Sequence, residues 1–198
     1  MLRKTLSTLA VSAIALTAVS SMASAGELEG SYLGLGTGYS WTDSDVSGTN
    51  VDTDGMTVGV YGGHIWNMGH NWFTGVEGEV FNGDVDGSRN GFNVEQEWSL
   101  GASGLVGYQF NKDWMAYGKL GVVTTQFETN DAGTSDDVWI YGARAGLGAE
   151  YTITPNWALR GEYNYTNYAD ENVAASGGGS VNLEPESHAV VFGLSYRF

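Results

Sequence analysis

The sequence predicts an all-β fold in which eight antiparallel strands close up-and-down into a barrel. Three observations lead there: a glycine and aromatic excess, long runs of period-two alternation, and a turn signature repeated at even spacing. The chain has 198 residues, of which 30 are Gly and only two are Pro, with 7 Trp, 11 Tyr and 7 Phe. Such aromatic content argues against disorder, and aromatic residues favour strands. Acidic residues outnumber basic ones 23 to 8, for a formal net charge of −15. Nucleic acid is not expected as a partner, because phosphate backbones demand a basic footprint. With no Cys, disulfides, thiolate metal sites and cysteine nucleophiles are excluded.

The first residues read as an address. Met1-Leu2-Arg3-Lys4 is basic, Leu6 to about Val19 is apolar, and Ala23-Ser24-Ala25 is a small-residue cleavage site. Residues 1–25 are therefore expected to be a secretory signal peptide, leaving 26–198 as one barrel domain that begins at Gly26. Losing Arg3 and Lys4 with the leader takes the formal charge from −15 to −17. A spanning helix needs about 20 apolar residues, and no later stretch supplies them.

The repeat orders the rest. His70-Asn71-Trp72, Lys112-Asp113-Trp114 and Pro155-Asn156-Trp157 each read as a tight turn between two alternating segments. Long polar stretches lie between them: 42–54, 83–94, 128–137 and 169–186. Three short turns and four long loops then join eight strands of about 11 residues, with both termini at the short-turn end.

Alternation assigns the faces. In the first strand Leu33, Leu35, Thr37, Tyr39 and Trp41 oppose Gly34, Gly36, Gly38 and Ser40. Trp98, Leu100, Ala102, Val106, Tyr108 and Phe110 oppose Ser99, Gly101, Ser103, Gly107 and Gln109. Tyr141, Ala143, Ala145, Leu147 and Ala149 oppose Gly142, Arg144, Gly146, Gly148 and Glu150; the last strand sets His188, Val190, Phe192, Leu194, Tyr196 and Phe198 against Ala189, Val191, Gly193, Ser195 and Arg197. A glycine face is too small to coat a soluble protein but suits a narrow lumen. The apolar face, ending in aromatics, suits lipid. An aromatic girdle is expected from Trp66, Trp72, Trp114 and Trp157 at the periplasmic interface, with Phe110, Tyr151 and Phe198, and from Trp41, Trp98 and Trp139 at the outer one.

The inward face carries Glu77, Glu79, Glu97, Glu150 and Glu162 against Lys119, Arg144, Arg160 and Arg197. Eight strands enclose an interior that side chains just fill, so an ion-pair network closing the lumen is expected; the alternative is a narrow porin passing small solutes. Glu77, Lys119 and Glu162 each stand five residues after a turn Trp and share a depth. Catalysis is not expected: Ser187 and His188 are sequence neighbours on a strand and face opposite ways, His70 lies in a short turn, and the three histidines, His64 among them, read as interfacial residues.

The stretches NWFTGVEGEV (71–80), SLGASGLVGYQFNKDWMAYGKLGVV (99–123), YGARAGLGAEYTITPNWALRGEYNYTNY (141–168) and HAVVFGLSYRF (188–198) resemble the small outer-membrane β-barrel proteins of Gram-negative bacteria. The chain is similar to the porin-like surface antigens of alphaproteobacteria, with the fold of the OmpA transmembrane domain. That resemblance implies a place in the cell outer membrane among lipids and lipopolysaccharide. It also implies that Phe192, Leu194, Tyr196 and Phe198 form the signal read by the barrel-assembly machinery, and it fixes no activity and no cofactor. A single closed chain is expected to be a monomer.

The polar stretches, with Glu95 just beyond the second, hold 15 of the 23 acids, with Arg89 their lone base. Asp43 to Asp54 superficially echoes a calcium loop but lacks its flanking helices and final Glu, so no dedicated metal site is expected. The expectation is instead that divalent cations bridge these acids to lipopolysaccharide phosphates at the outer surface, and a host or surface ligand is a further partner the loops could take. Gly177-Gly178-Gly179 predicts a flexible fourth loop.

Overall fold

A computed structural model describes residues 29–46, 49–89, 92–131, 134–168, 171–174, 180–183 and 186–198. The expected leader and the Gly177–Gly179 run lie outside them. The strands are β1 (Gly30–Val46), β2 (Thr49–Gly69), β3 (Trp72–Arg89), β4 (Phe92–Gln109), β5 (Trp114–Asp131), β6 (Thr134–Thr152), β7 (Trp157–Tyr168), β8 (Glu171–Ala174), β9 (Ser180–Leu183) and β10 (Glu186–Arg197). Eight of them form a closed antiparallel barrel in the order β1-β10-β7-β6-β5-β4-β3-β2. The first and last strands pair from Tyr32↔Arg197 to Asp43↔Glu186. Closure leaves no sheet edge, as lipid requires.

Each turn has its own local cause. His70 and Asn71 both have positive φ, 54° and 66°, the requirement of the two-residue turn whose twist matches a hairpin. At the next, Asn111 Oδ1 accepts from the backbone N–H groups of Asp113 and Trp114, both at 2.9 Å. In the third, Trp157 N–H donates to Thr154 Oγ1 at 3.1 Å. Side chains that mimic backbone acceptors are the usual way polar residues hold tight turns.

The opposite end corrects the loop expectation. Polar stretches 42–54, 83–94 and 128–137 are mostly strand: pairing continues to Val46↔Thr49, Arg89↔Phe92 and Asp131↔Thr134. The barrel strands β1 to β6 are therefore 17 to 21 residues long, not about 11. Polarity marks departure from the bilayer, whereas a ladder already in register continues into water. The calcium-loop echo is a hairpin, with Asp43 opposite Asp52 and Asp45 opposite Asn50. Within 169–186, β8 and β9 pair as a separate two-stranded sheet.

Outward side chains form the apolar band, from Leu33 and Leu35 on β1 to Phe192 and Leu194 on β10, all exposed. Rings cluster at the turn end: Trp72 with Tyr108 (5.3 Å), Trp114 with Tyr151 (5.0 Å) and Trp157 with Tyr196 (5.1 Å between centroids). Trp66 lies with them and packs on His64. At the hairpin end, Trp41 packs with Tyr39 and His188, and Trp98 is outward and exposed. The Trp139 side chain lies outside the described residues.

Candidate functional site: an ion-paired lumen

The inward residues of β3, β5, β6, β7 and β10 meet on the barrel axis because a period of two puts every second side chain there. Lys119 of β5 is the hub. Its Nζ lies 2.6 Å from Glu162, 2.8 Å from Glu79 and 3.4 Å from Glu77, and its side chain is wholly buried. Arg144 pairs with Glu79, and its Nε donates to Thr166 Oγ1 at 2.9 Å. Arg160 pairs with Glu77 and reaches Glu150 at 3.5 Å. Arg197 pairs with Glu150. Among the described side chains, four carboxylates and four cations thus form one connected network, formally neutral, running towards the turn end through Glu150 and Arg197. Glu97 occupies the β-bulge between Gln96 and Trp98, and its side chain lies outside the described residues.

Burial makes the matching consequential. An ion taken out of water costs several kcal/mol, and attraction offsets this only when its other lone pairs are also satisfied. For Glu77 and Glu162 neutral donors supply this: Tyr32 Oη donates to Glu77 (2.7 Å), Tyr117 Oη to Glu162 (2.7 Å) and Asn164 Nδ2 to Glu162 (2.8 Å), whereas Arg160 Nε makes no hydrogen bond among the described residues. The Arg160 guanidinium lies over three rings, 4.3 Å from the Tyr61 centroid and 5.2 Å from those of Tyr32 and Tyr117, a cation–π arrangement that gains most when dry.

These tyrosines are what the sequence reading missed. With Ile65, Phe73, Leu105 and Met115 they form a buried apolar cluster inside the barrel. The signal was parity: Tyr61 alternates with Gly59 and Gly63, and Tyr117 with Lys119. Glycine and ring are complementary. A Cβ on Gly34 or Gly193 would strike the Tyr61 ring, and one on Gly148 the Tyr117 ring. Lumen glycines therefore make room for rings that cross from neighbouring strands. Towards the hairpin end the filling becomes neutral, with Thr125 Oγ1 3.2 Å from the Tyr168 hydroxyl.

Elsewhere, Phe192, Leu194, Tyr196 and Phe198 all face outward on the last strand. Ser31 and His64, 33 positions apart, meet on the outer wall with Oγ 3.0 Å from Nδ1, a pair invisible to sequence adjacency. At the hairpin end the register sets acid against acid: Asp54↔Asp86, Asp86↔Glu95, Glu95↔Glu128 and Glu128↔Asp137.

An apolar outer wall, a closed ladder and an ion-paired interior define a membrane-spanning β-barrel. Residues 11–198 match the outer membrane protein beta-barrel domain family, and the chain belongs to it; its place is the cell outer membrane. It is 29% identical over 171 residues to a 25 kDa outer-membrane immunogenic protein of Brucella abortus, covering 85% of this chain and 78% of that one. A 22 kDa outer membrane protein of Rhizobium leguminosarum is 29% identical over 175 residues, covering 88% and 80%. Among solved structures, Neisserial surface protein A aligns with a TM-score of 0.57 at 15% identity, covering 84% of this chain and 97% of that one. Yersinia pestis Ail aligns at 0.53 and 15%, covering 86% and 99%; these share the fold.

Proposed function

We propose that the protein is a closed, non-catalytic barrel with a structural and surface-interaction role, in envelope integrity, adhesion or as a surface antigen. One observation carries this reading: the lumen cross-section is occupied by a neutral network centred on Lys119, packed against inward rings. Such an interior holds the barrel together rather than passing solute. The Brucella relatives, named as immunogenic outer-membrane proteins, support surface presentation, and the hairpins are the surface available. On this reading lipopolysaccharide surrounds the wall, the outward Phe192–Phe198 row meets the assembly machinery, and no cofactor takes part. Planar-bilayer recording of the refolded chain tests the reading. A silent bilayer is expected, with Lys119→Ala giving intermittent openings; steady unitary currents from the unaltered protein would establish the narrow-porin alternative instead.

A further inference from the structure

Closure holds only as far as all eight strands run together. At the hairpin end the ladder of β7 on β6 stops at Tyr168, opposite Gly142, and that of β10 on β1 stops at Glu186, opposite Asp43. β6 continues past that point from Thr134 to Tyr141, eight residues paired with β5 alone. Beyond the common span the wall therefore has a window between β6 and β1, the width of the two missing strands β7 and β10. At 4.7–4.9 Å between strands that is about 14 Å. The β8–β9 ribbon, which lies in the chain between β7 and β10, extends neither side of the window and forms a sheet of its own. Its pairing Glu171↔Leu183 is one residue out of step with Asn167↔Glu186, and β9 lies beside β1.

The backbone direction of this edge follows from the far end of β6. Thr152 N–H donates to Asp113 O on the β5 side, and Ile153 N–H to Trp157 O on the β7 side, both at 2.8 Å. Hydrogen-bonding groups alternate sides along a strand, so even-numbered residues of β6 turn to β5 and odd-numbered ones to β7. Ser135, Asp137, Trp139 and Tyr141 thus direct their N–H and C=O groups into the window, where no described residue pairs with them. Proteins usually blunt such an edge with Pro, Lys, a bulge or a very short strand. This one has neither Pro nor Lys over its eight residues, and its ladder with β5 runs without a register shift.

We propose that the Thr134–Tyr141 edge binds an extended, basic segment of another protein by strand addition. Backbone hydrogen bonds supply the attraction, and charge selects the occupant. The edge carries Asp136 and Asp137, and the acidic row of the rim reaches it through Glu128↔Asp137. A second copy of the chain is disfavoured, because antiparallel pairing centred on Asp137 sets that residue against itself, and like charges directly opposite destabilise a sheet. A segment with Lys or Arg at alternate positions brings the opposite sign to the same acids. Short turns face the periplasm in outer-membrane barrels, so the window opens to the cell exterior, where such a segment is met. The inference rests on the surface-interaction reading and not on whether the lumen conducts.

Amide hydrogen exchange of the refolded barrel, read residue by residue by NMR, tests this with a synthetic eight-residue peptide alternating lysine with valine. In the free barrel the Asp137 and Trp139 amides are expected to exchange fast, and those of Asp136 and Val138, turned to β5, slowly. Peptide should slow the two odd-numbered amides by about tenfold or more and leave the even-numbered ones unchanged. A peptide with the same side chains but every backbone nitrogen methylated keeps the charge, loses the donors and should not protect them. Asp137→Asn removes charge alone. Asp137→Pro also removes one N–H facing the window while sparing the β5 ladder, and should bind the lysine peptide about tenfold more weakly than Asp137→Asn. Folding is read by the heat-dependent gel shift; if Asp137→Pro fails to fold, the methylated peptide on the unaltered barrel carries the test. Equal binding of the two peptides, no binding of the lysine peptide, or odd-numbered amides already protected in the free barrel would each overturn the proposal. A barrel that binds no peptide yet stays silent in a bilayer overturns this inference alone, whereas steady currents with the exchange pattern intact overturn only the closed-barrel reading.

Discussion

Two carboxylate populations share this barrel and obey opposite rules. In the lumen, Glu77, Glu79, Glu150 and Glu162 each meet a cation, and the network closes at neutrality. At the hairpin end, Asp54, Asp86, Glu95, Glu128 and Asp137 stand opposite one another on five successive strands. Like charges directly opposite on a sheet destabilise it, a cost that salt reduces between charges in water. The whole-chain charge of −15 therefore averages a balanced interior and an unbalanced rim. Dielectric setting decides what an arrangement costs: a carboxylate buried in the lumen needs a partner, while charges facing each other in water repel only weakly.

Breaking the comparison on the lumen side should have the largest effect. Lys119→Ala leaves three buried carboxylates without their shared cation, and urea unfolding of the folded barrel should show a loss of about 3–5 kcal/mol. Tyr117→Phe removes only the hydroxyl that donates to Glu162, and about 1.5–3 kcal/mol should go in the same assay. On the rim the sign reverses. Glu128→Gln relieves two opposed pairs at once and should stabilise by roughly 0.2–1 kcal/mol. That gain should shrink as NaCl rises from 10 mM to 1 M, because the Debye length falls from about 30 Å to about 3 Å. The Tyr117→Phe loss should not change with salt.

Much of this comparison was legible in the sequence. Period-two alternation reads Glu77, Lys119 and Glu162 onto the inward face, and their common distance from a turn Trp reads their shared depth. The partner of each charge is not legible, because it depends on strand tilt and on register around a closed ladder. Nor were the inward rings obvious: Tyr32 and Tyr61 carry the parity of glycines, but tyrosine at a membrane barrel's end reads first as girdle. The extended hairpins escaped for a different reason. Thr42, Ser44 and Asp43 suit a solvated strand as well as a loop, and only pairing with Thr53 and Asp52 separates the two.

A pair of double-mutant cycles in one barrel, read by reversible urea unfolding, tests the account most directly. One cycle takes Glu79 and Arg144 to alanine in the lumen; the other takes Asp54 and Asp86 to asparagine on the rim. Coupling within contacting pairs is of order 0.5–3 kcal/mol. Favourable coupling in the lumen and unfavourable coupling on the rim is the expected result. A lumen coupling of zero or of unfavourable sign would contradict the account.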